Sequence, residues 1–251
     1  MNFTWLKRLT TLALFISLCL PQESFAQRKS KDDTPAWTDA SLSAFKWRNV
    51  GPATTSGRIV DLAVDTENPG TLYLALASGG VWKTTNNGTT FEPIFDGEGS
   101  YSTGCVTIDP TNSNVVWVGS GENNNQRSVP YGDGVYVSRD GGKSWDNVGL
   151  SSSEHIGMIT IDPNDGNHVY VAAYGPLWSA GGDRGIYETT DGGKNWTRIL
   201  NVSEHTGFNE IHMDPRDPKH YMLLLISVVA TCTPTSAVGQ KVRFTRARTV
   251  G

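Results

Sequence analysis

The chain has 251 residues and a formal net charge of −4 at pH 7. The acidic balance argues against nucleic acid as a partner, because proteins that bind nucleic acids present basic surfaces. Of three cysteines, only Cys105 lies in the repeated part of the chain described below, which excludes a framework held by disulfides.

Residues 1–26 are predicted to be an export signal. Lys7 and Arg8 precede an apolar run over residues 9–20, and Ser24 and Ala26 form a small-x-small cleavage motif. The run is too short to span a membrane. We therefore expect an exported protein, in the periplasm, on the outer surface or secreted, whose residues 27–44 form a flexible lead-in.

An eight-residue pattern then returns three times. It reads TTNNGTTF at residues 84–91, SRDGGKSW at 138–145 and TTDGGKNW at 189–196. Recurrence at a spacing of about fifty residues indicates one supersecondary unit used repeatedly. The shared positions are an Asn or Asp, a Gly and a closing aromatic, namely Asn86, Gly88, Phe91, Asp140, Gly142, Trp145, Asp191, Gly193 and Trp196.

Four short strands are predicted around each copy of this pattern. Period-two alternation, β-branched and aromatic residues, and punctuation by Gly, Asn and Asp indicate strands and turns. In chain order the strands are 58–65, 71–77, 80–83 and 91–95, then 104–109, 115–119, 134–137 and 145–148, then 157–162, 169–174, 185–188 and 196–200, and finally 208–214. No segment has a helical period.

Four antiparallel strands per repeat are what a β-propeller blade requires. A β-helix, whose repeats are shorter, and a β-sandwich are the alternative architectures. We predict an all-β fold, a β-propeller of four-stranded antiparallel blades. The chain supplies an incomplete arc of three blades over residues 45–99, 100–153 and 154–205, plus the first strand of a fourth in the partial unit 206–220.

The repeated pattern resembles the Asp-box of BNR repeats. Residues 47–220 as a whole resemble the sortilin-like, BNR-repeat β-propellers of exported bacterial proteins, which are often labelled glycosyl hydrolases. In that family the box turn joins the third and fourth strands, on the rim away from the ligand face. The resemblance therefore implies structural roles for the box residues: the Asp or Asn accepts backbone N–H bonds, Gly gives backbone freedom and the aromatic packs between blades.

The long loops between second and third strands lie on the opposite face in this interpretation. Long loops on a rigid scaffold often carry binding groups, and planar amides, arginine and aromatic rings engage hydroxyl-rich or peptide ligands. The candidate ligand-binding residues are Glu122, Asn124, Arg127, Tyr131, Trp178 and Arg184. The alternative, in which these side chains hold the loops together, stays open.

A glycoside hydrolase is the main alternative function. Two carboxylates must flank the bond to be cleaved, and Glu122, Asp133 and Asp183 are the candidates in these loops. The run 77–82 resembles a first-blade segment of xyloglucan-processing hydrolases in which a catalytic Asp stands where this chain has Ala77, so this departure argues against hydrolysis. No cluster has metal-ligand spacing, and we predict neither metal nor cofactor.

Ser-Glu-His recurs between blades, at residues 153–155 and 203–205. A Glu–His pair could serve acid–base chemistry. Recurrence with the scaffold instead favours a structural role at the blade junctions.

Residues 221–251 break the pattern, since they contain no Asp or Glu and no blade punctuation. We interpret them as an anomalous tail produced by a frameshift; the alternative is a genuine segment that pairs as a strand over 221–230. On the first interpretation the chain is a truncated copy, inactive by itself. Its partners are then a glycan or peptide ligand and the remaining blades of a longer parent propeller. A structural or assembly domain is the third functional alternative.

Overall fold

A computed structural model describes residues 57–124 and 129–214, and also the backbone of the strands Asp217–Ser227 and Lys241–Arg248. The predicted export signal and lead-in, and the candidate residue Arg127, lie outside these ranges. Within them the helical structure is one 3-10 turn at Ser151–Ser153. A search of the same residues finds no helix with the length and apolar character needed to cross a membrane.

Three antiparallel sheets of four strands each follow one another along the chain, and we call them blades 1, 2 and 3. Blade 1 contains β1 (Ile59–Val64), β2 (Leu72–Leu76), β3 (Gly80–Thr84) and β4 (Glu92–Pro93). Blade 2 contains β5 (Thr103–Asp109), β6 (Asn112–Ser120), β7 (Val135–Ser138) and β8 (Asp146–Gly149). Blade 3 contains β9 (Ile156–Asp162), β10 (Asp165–Ala173), β11 (Gly185–Thr189) and β12 (Thr197–Leu200). The predicted all-β fold of four-stranded antiparallel blades is confirmed.

A fourth sheet, sheet 4, goes further than the sequence predicts. The expected strand is present as β13 (Thr206–Asp214), and it pairs with β14 (Asp217–Ser227), which pairs in turn with β15 (Lys241–Arg248). The strand β14 begins before the predicted break at Tyr221 and runs through it. Sheet 4 therefore has three strands.

Alternation along the strands gives every blade two apolar faces, because successive side chains of a strand point to opposite sides. We call the face turned toward the preceding blade the leading face and the face turned toward the following blade the trailing face. Tyr73 and Ala75 on the trailing face of blade 1 pack against Val116 and Val118 on the leading face of blade 2. The interfaces between blades 2 and 3 and between blade 3 and β13 are built in the same way. The core of the protein is thus a series of interfaces between sheets.

Small residues allow the first strands of neighbouring sheets to approach closely. Gly157 in β9 faces Asn209 in β13, and a Cβ atom built at Gly157 would lie 2.4 Å from the Asn209 carbonyl oxygen. Such a distance cannot be accommodated without moving one strand away from the other. The glycine is therefore required by the packing of blade 3 on sheet 4.

The variant Gly157→Ala is expected to lower the free energy of unfolding by about 1–3 kcal/mol, the usual cost of overpacking. The matched control is Gly97→Ala, because a Cβ atom at Gly97 would have no neighbour within 4 Å and should change stability by less than about 0.5 kcal/mol. Urea unfolding followed by circular dichroism measures both. Equal midpoints for the two variants would show that β9 and β13 are not in close contact.

Candidate functional site

The box turns and the long loops lie at opposite ends of the blades. In blade 2 the loop 121–134 leads into β7, and the box turn leaves β7 after Ser138. In blade 3 the loop 174–184 leads into β11, and the box turn leaves it after Thr189. An extended strand therefore separates each loop from its box, and we call the two ends the loop end and the box end.

A hydroxyl side chain organises each box turn. In blade 2 the Ser138 hydroxyl donates to Asp140 Oδ1 at 2.8 Å and accepts from the Gly142 N–H at 2.7 Å. The same pair of bonds occurs in the other boxes, between Thr84, Asn86 and Gly88 and between Thr189, Asp191 and Gly193. The turn geometry is thus set by a Ser or Thr as well as by the Asp or Asn.

The box carboxylates accept hydrogen bonds from residues of their own turns. Asp140 accepts the Ser144 hydroxyl at 2.6 Å and the backbone N–H groups of Lys143 and Ser144, each at 2.9 Å. The bonds from Ser144, which favour the charged form, lower the pKa of Asp140. Bonds from Asn195 likewise lower the pKa of Asp191 to about 2. A carboxyl group that stays ionised and accepts several local bonds is a poor general acid.

The closing tryptophans connect neighbouring blades. The Trp145 indole N–H donates to the Ile94 carbonyl in blade 1 at 2.8 Å, and the Trp196 indole donates to the Val148 carbonyl in blade 2 at 2.7 Å. Phe91 occupies the same position in blade 1 but has no N–H group to donate. The box end therefore carries the contacts that hold successive blades together.

The Ser-Glu-His segments contribute backbone atoms to the blade junctions. In each junction a glycine N–H at the loop end of one blade donates to a carbonyl in the segment that leads to the next sheet. The pairs are Gly80 and Tyr101 at 2.7 Å, Gly132 and Glu154 at 2.7 Å, and Gly181 and Glu204 at 2.9 Å. A repeated structural role predicts such bonds, and neither glutamate carboxylate takes part in them.

Glu122 at the loop end is buried beside an arginine of another blade. Only 3% of its side chain is exposed, and it forms an ion pair with Arg58, which leads into β1 and is half-exposed. Asn124 donates to Glu122 Oε1 at 3.4 Å. Asn123 connects this loop to β5 by donating to the Gly104 carbonyl at 2.9 Å. The structure thus brings Glu122 and Asn124 together and adds Arg58, which was not among the predicted ligand-binding residues.

The other two candidate carboxylates make bonds that shape the loops. Asp133 accepts the Ser120 hydroxyl at 3.1 Å and the Tyr136 hydroxyl at 2.6 Å, so both of its oxygens have internal partners. Burial of the hydroxyl and the bond to Asp133 raise the pKa of Tyr136 to about 12. Asp183 accepts the Ser152 backbone N–H at 3.0 Å. These bonds favour structural roles for Asp133 and Asp183 over catalysis.

Arg184 is a buried organiser of its own loop, with 1% of the residue exposed. Its guanidinium donates to the carbonyl oxygens of Tyr174 at 3.0 Å, Ser179 at 2.7 Å and Gly181 at 2.9 Å, and also to the Pro176 carbonyl. A guanidinium surrounded by loop carbonyls has no fork left for a ligand. These bonds give Arg184 a structural role in holding its loop together.

Two aromatic side chains of the long loops remain open to solvent at the loop end. Tyr131 is 56% exposed and Trp178 is 50% exposed. Behind them Val129, Tyr174 and Leu177 form a buried cluster, and Leu177 directly precedes Trp178 in the chain. Large exposed aromatic rings on a supported loop are typical of binding surfaces.

His155 is buried between these aromatics, a feature that the sequence did not predict. Its ring centroid lies 5.8 Å from that of Tyr131 and 6.4 Å from that of Tyr174. Neither ring nitrogen has a hydrogen-bond partner among the described residues. Burial, together with the positive charge of Arg184, lowers the pKa of His155 to about 4. Its counterpart His205 in the next junction is exposed, so the repeated motif alone could not single out His155.

Two clefts open between blades at the box end. One, of about 610 Å³, lies between blades 1 and 2 beside Lys83 and Trp145, and the other, of about 370 Å³, lies between blades 2 and 3 beside Arg139 and Asp191. Both clefts border a box turn, which supplies Gly141 and Gly142 to the first and Asp191 and Gly192 to the second. In the described parts of the chain no group of three or more His, Cys, Asp or Glu side chains could hold a metal ion.

Comparison with known proteins gives one curated relative and several similar folds. No family model matches the chain. A segment of 67 residues is 40% identical to a probable oligoxyloglucan-reducing end-specific xyloglucanase of Neosartorya fischeri, and the match covers 26% of this chain and 7% of that protein. The chain thus spans a small part of that relative's length.

Solved structures resemble the chain over most of its residues. An ancestral GH74 enzyme matches with a TM-score of 0.53 at 19% identity, over 68% of this chain and 22% of its own. A GH74 enzyme of Niastella koreensis (TM-score 0.52, 20% identity) and a GH74 xyloglucanase of Xanthomonas campestris (TM-score 0.51, 19% identity) each match over 74% of this chain and 29% of their own. The chain therefore has the blade architecture of β-propeller proteins, GH74 enzymes among them, and spans less than a third of those chains.

Proposed function

We propose that these blades belong to an exported, BNR-type propeller that binds a glycan at its loop end and does not cleave it. The observation that carries this proposal is that the loop end presents two exposed aromatic rings, Tyr131 and Trp178, and also the polar group formed by Glu122, Arg58 and Asn124. Sugar rings present apolar faces and hydroxyl rims. Aromatic rings contact the former, and charged or amide groups bond to the latter.

The two aromatic residues rest on one supported surface. Tyr131 packs against His155, His155 packs against Tyr174, and Tyr174 shares a buried cluster with Leu177, the neighbour of Trp178. The guanidinium of Arg184 holds the carbonyls of the same loop. A surface held in this way loses little conformational entropy when a ligand binds.

The name of the curated relative supports a glycan over a peptide as the ligand class. We do not extend this support from binding of a glycan to its hydrolysis. Cleavage of a glycosidic bond requires two carboxylates with separate roles, whereas Asp133 accepts two internal bonds and Glu122 is paired with Arg58. Ala77 also stands where the xyloglucan-processing hydrolases resembled by this sequence have a catalytic Asp.

Titration of the purified chain with xyloglucan oligosaccharides by isothermal calorimetry is expected to show binding, with no change in the saccharides by chromatography. Removing one aromatic ring, in Trp178→Ala or Tyr131→Ala, should weaken binding about 5–30-fold, because an aromatic contact is typically worth about 1–2 kcal/mol. The matched control is Leu62→Ala, whose side chain is as exposed as Trp178, each at 50%, but lies on blade 1 away from the loop end.

Other results of this binding experiment would favour a different function or a different binding site. Release of shorter saccharides would favour the hydrolase, and absence of binding to xyloglucan, cellulose or mannan oligosaccharides would favour a structural or assembly domain. Equal affinities of Trp178→Ala, Tyr131→Ala and the control would place the ligand elsewhere on the protein. An unchanged circular dichroism spectrum for every variant ensures that the affinities are compared between folded proteins.

A further inference from the structure

Tyr101, in the segment that leads from blade 1 to β5, is the most exposed of the large apolar side chains in the described ranges, at 65%. Its main-chain carbonyl accepts the Gly80 N–H at the loop end of blade 1. The strand β5 begins at Thr103, which pairs with Ser120 at the end of β6, where the long loop of blade 2 starts. Tyr101 therefore lies at the loop end, although neither long loop contains it.

The strongly exposed aromatic side chains of the described residues are confined to one end of the blades. They are Tyr101, Tyr131 and Trp178, and all three lie at the loop end. The aromatic residues that close the boxes are half-buried by comparison, namely Phe91, Trp145 and Trp196. Exposed aromatic rings concentrated on one surface are typical of a binding site.

The scaffold does not require an aromatic side chain at position 101. The bond between Tyr101 and Gly80 joins main-chain atoms, and the same bond at the next two junctions uses the carbonyls of Glu154 and Glu204. One tyrosine and two glutamates therefore occupy equivalent positions. This difference favours a ligand contact over a packing role for the Tyr101 ring.

The two neighbours of Tyr101 in the chain hold it next to the long loop of blade 2. The Ser100 hydroxyl donates to the Tyr131 carbonyl at 3.0 Å, and the Ser102 hydroxyl donates to the Pro130 carbonyl at 3.3 Å. These bonds keep Tyr101 and Tyr131 on one surface. Because the main chain at both positions is already fixed, a ligand that contacts the two rings has little backbone to order.

We propose that Tyr101 is a third ligand contact of the loop end, and that the three rings together select an extended glycan chain over a single sugar. This inference rests on the glycan binding proposed above and adds the form of the ligand. Tyr101 lies in the junction between blades 1 and 2, Tyr131 in the long loop of blade 2 and Trp178 in that of blade 3. A ligand that contacts all three rings has to cross from one blade to the next, which suits a chain of sugar rings and not a monosaccharide.

Isothermal calorimetry with xyloglucan oligosaccharides of increasing backbone length tests the inference on the full chain. For the wild type the affinity should rise with length until the oligosaccharide reaches all three rings. Tyr101→Ala should weaken binding of the longest oligosaccharide about 5–30-fold, because one aromatic contact is lost, and should change binding of the shortest much less. Tyr101→Phe keeps the ring and should retain the wild-type affinities.

Leu62→Ala is the matched control, because it also truncates an exposed apolar side chain, but one that lies in the middle of β1. It should leave the affinity at every length unchanged. Tyr101→Glu repeats the test if Tyr101→Ala loses its circular dichroism spectrum, since glutamate occupies the equivalent position at two other junctions.

Other results separate this inference from the function on which it rests. A wild-type affinity that does not depend on length would contradict the inference and leave the proposed glycan binding intact. Equal affinities of Tyr101→Ala and the wild type for the longest oligosaccharide would do the same. An equal loss at every length would place Tyr101 in a site for a single sugar, against an extended chain. Absence of binding at any length would contradict the proposed function itself, and this inference with it.

Discussion

The variant Trp117→Ala is expected to lower the free energy of unfolding by about 3–5 kcal/mol, the cost of truncating a buried tryptophan. Trp117 is 1% exposed and belongs to the core between blades 2 and 3. Its ring meets Trp196 edge to face at 6.3 Å, and the position of a Cβ atom at Gly193 lies only 3.0 Å from it. Removing the Trp117 ring would leave a cavity beside the third box, and Gly193 has no side chain to fill it.

Trp178→Ala is the matched control for this measurement. It removes the same side chain from a position that is half-exposed, so stability should change by less than about 0.5 kcal/mol. Urea unfolding midpoints, measured with unchanged slopes, give the difference in the free energy of unfolding between the two variants. A loss of less than about 1 kcal/mol in Trp117→Ala would mean that blades 2 and 3 do not pack through this ring.

Stability is expected to fall between about pH 6.5 and pH 4 because of His155. The pKa of this residue is lowered to about 4 in the folded protein by burial and by Arg184, whereas an unfolded histidine has a pKa of about 6.5. The unfolded chain therefore binds more protons in this window. The stability contributed by neutral His155 is fully present above the unfolded pKa and is lost as the pH falls toward the folded pKa.

His155→Phe keeps a ring of similar size and removes the titrating group. Between pH 7 and pH 4.5 the wild type should lose roughly 2 kcal/mol more than this variant. At pH 7 the variant should be at least as stable as the wild type, because the two ring nitrogens of His155 lack partners. His205→Phe, at the exposed equivalent position, is the control and should keep the wild-type pH dependence. Parallel pH profiles for His155→Phe and the wild type would rule out a buried neutral histidine.

The blade architecture could be predicted from the sequence because its determinants are local. Alternation within β5, for example, predicts residues 104–109, and the strand is Thr103–Asp109. The shortest strand was overestimated. Residues 91–95 were expected to pair, but β4 is limited to Glu92–Pro93, and Pro93 has no N–H group to extend the ladder.

The loop end could be predicted only in part, because its contacts join residues far apart in the chain. Arg58 and Glu122 meet across two blades, and no pattern in either segment indicates the other. Arg184 lies among glycines and looks like a surface residue in the sequence, yet it is enclosed by the carbonyls of its own loop. Exposure of Tyr131 and Trp178 follows from loop position, whereas burial of His155 depends on the neighbouring loop folding over it.

The junction bonds from glycine N–H groups to the carbonyls of Tyr101, Glu154 and Glu204 have an evolutionary consequence. Both partners are main-chain atoms, so the side chains of these segments can change without breaking the bond. The acceptor segment around Tyr101 differs in sequence from the two Ser-Glu-His segments, and the loops that supply the donors differ as well. Mutation can therefore diversify what the protein recognises while its framework stays constant, and loops exchanged between relatives should graft onto these blades with little loss of stability.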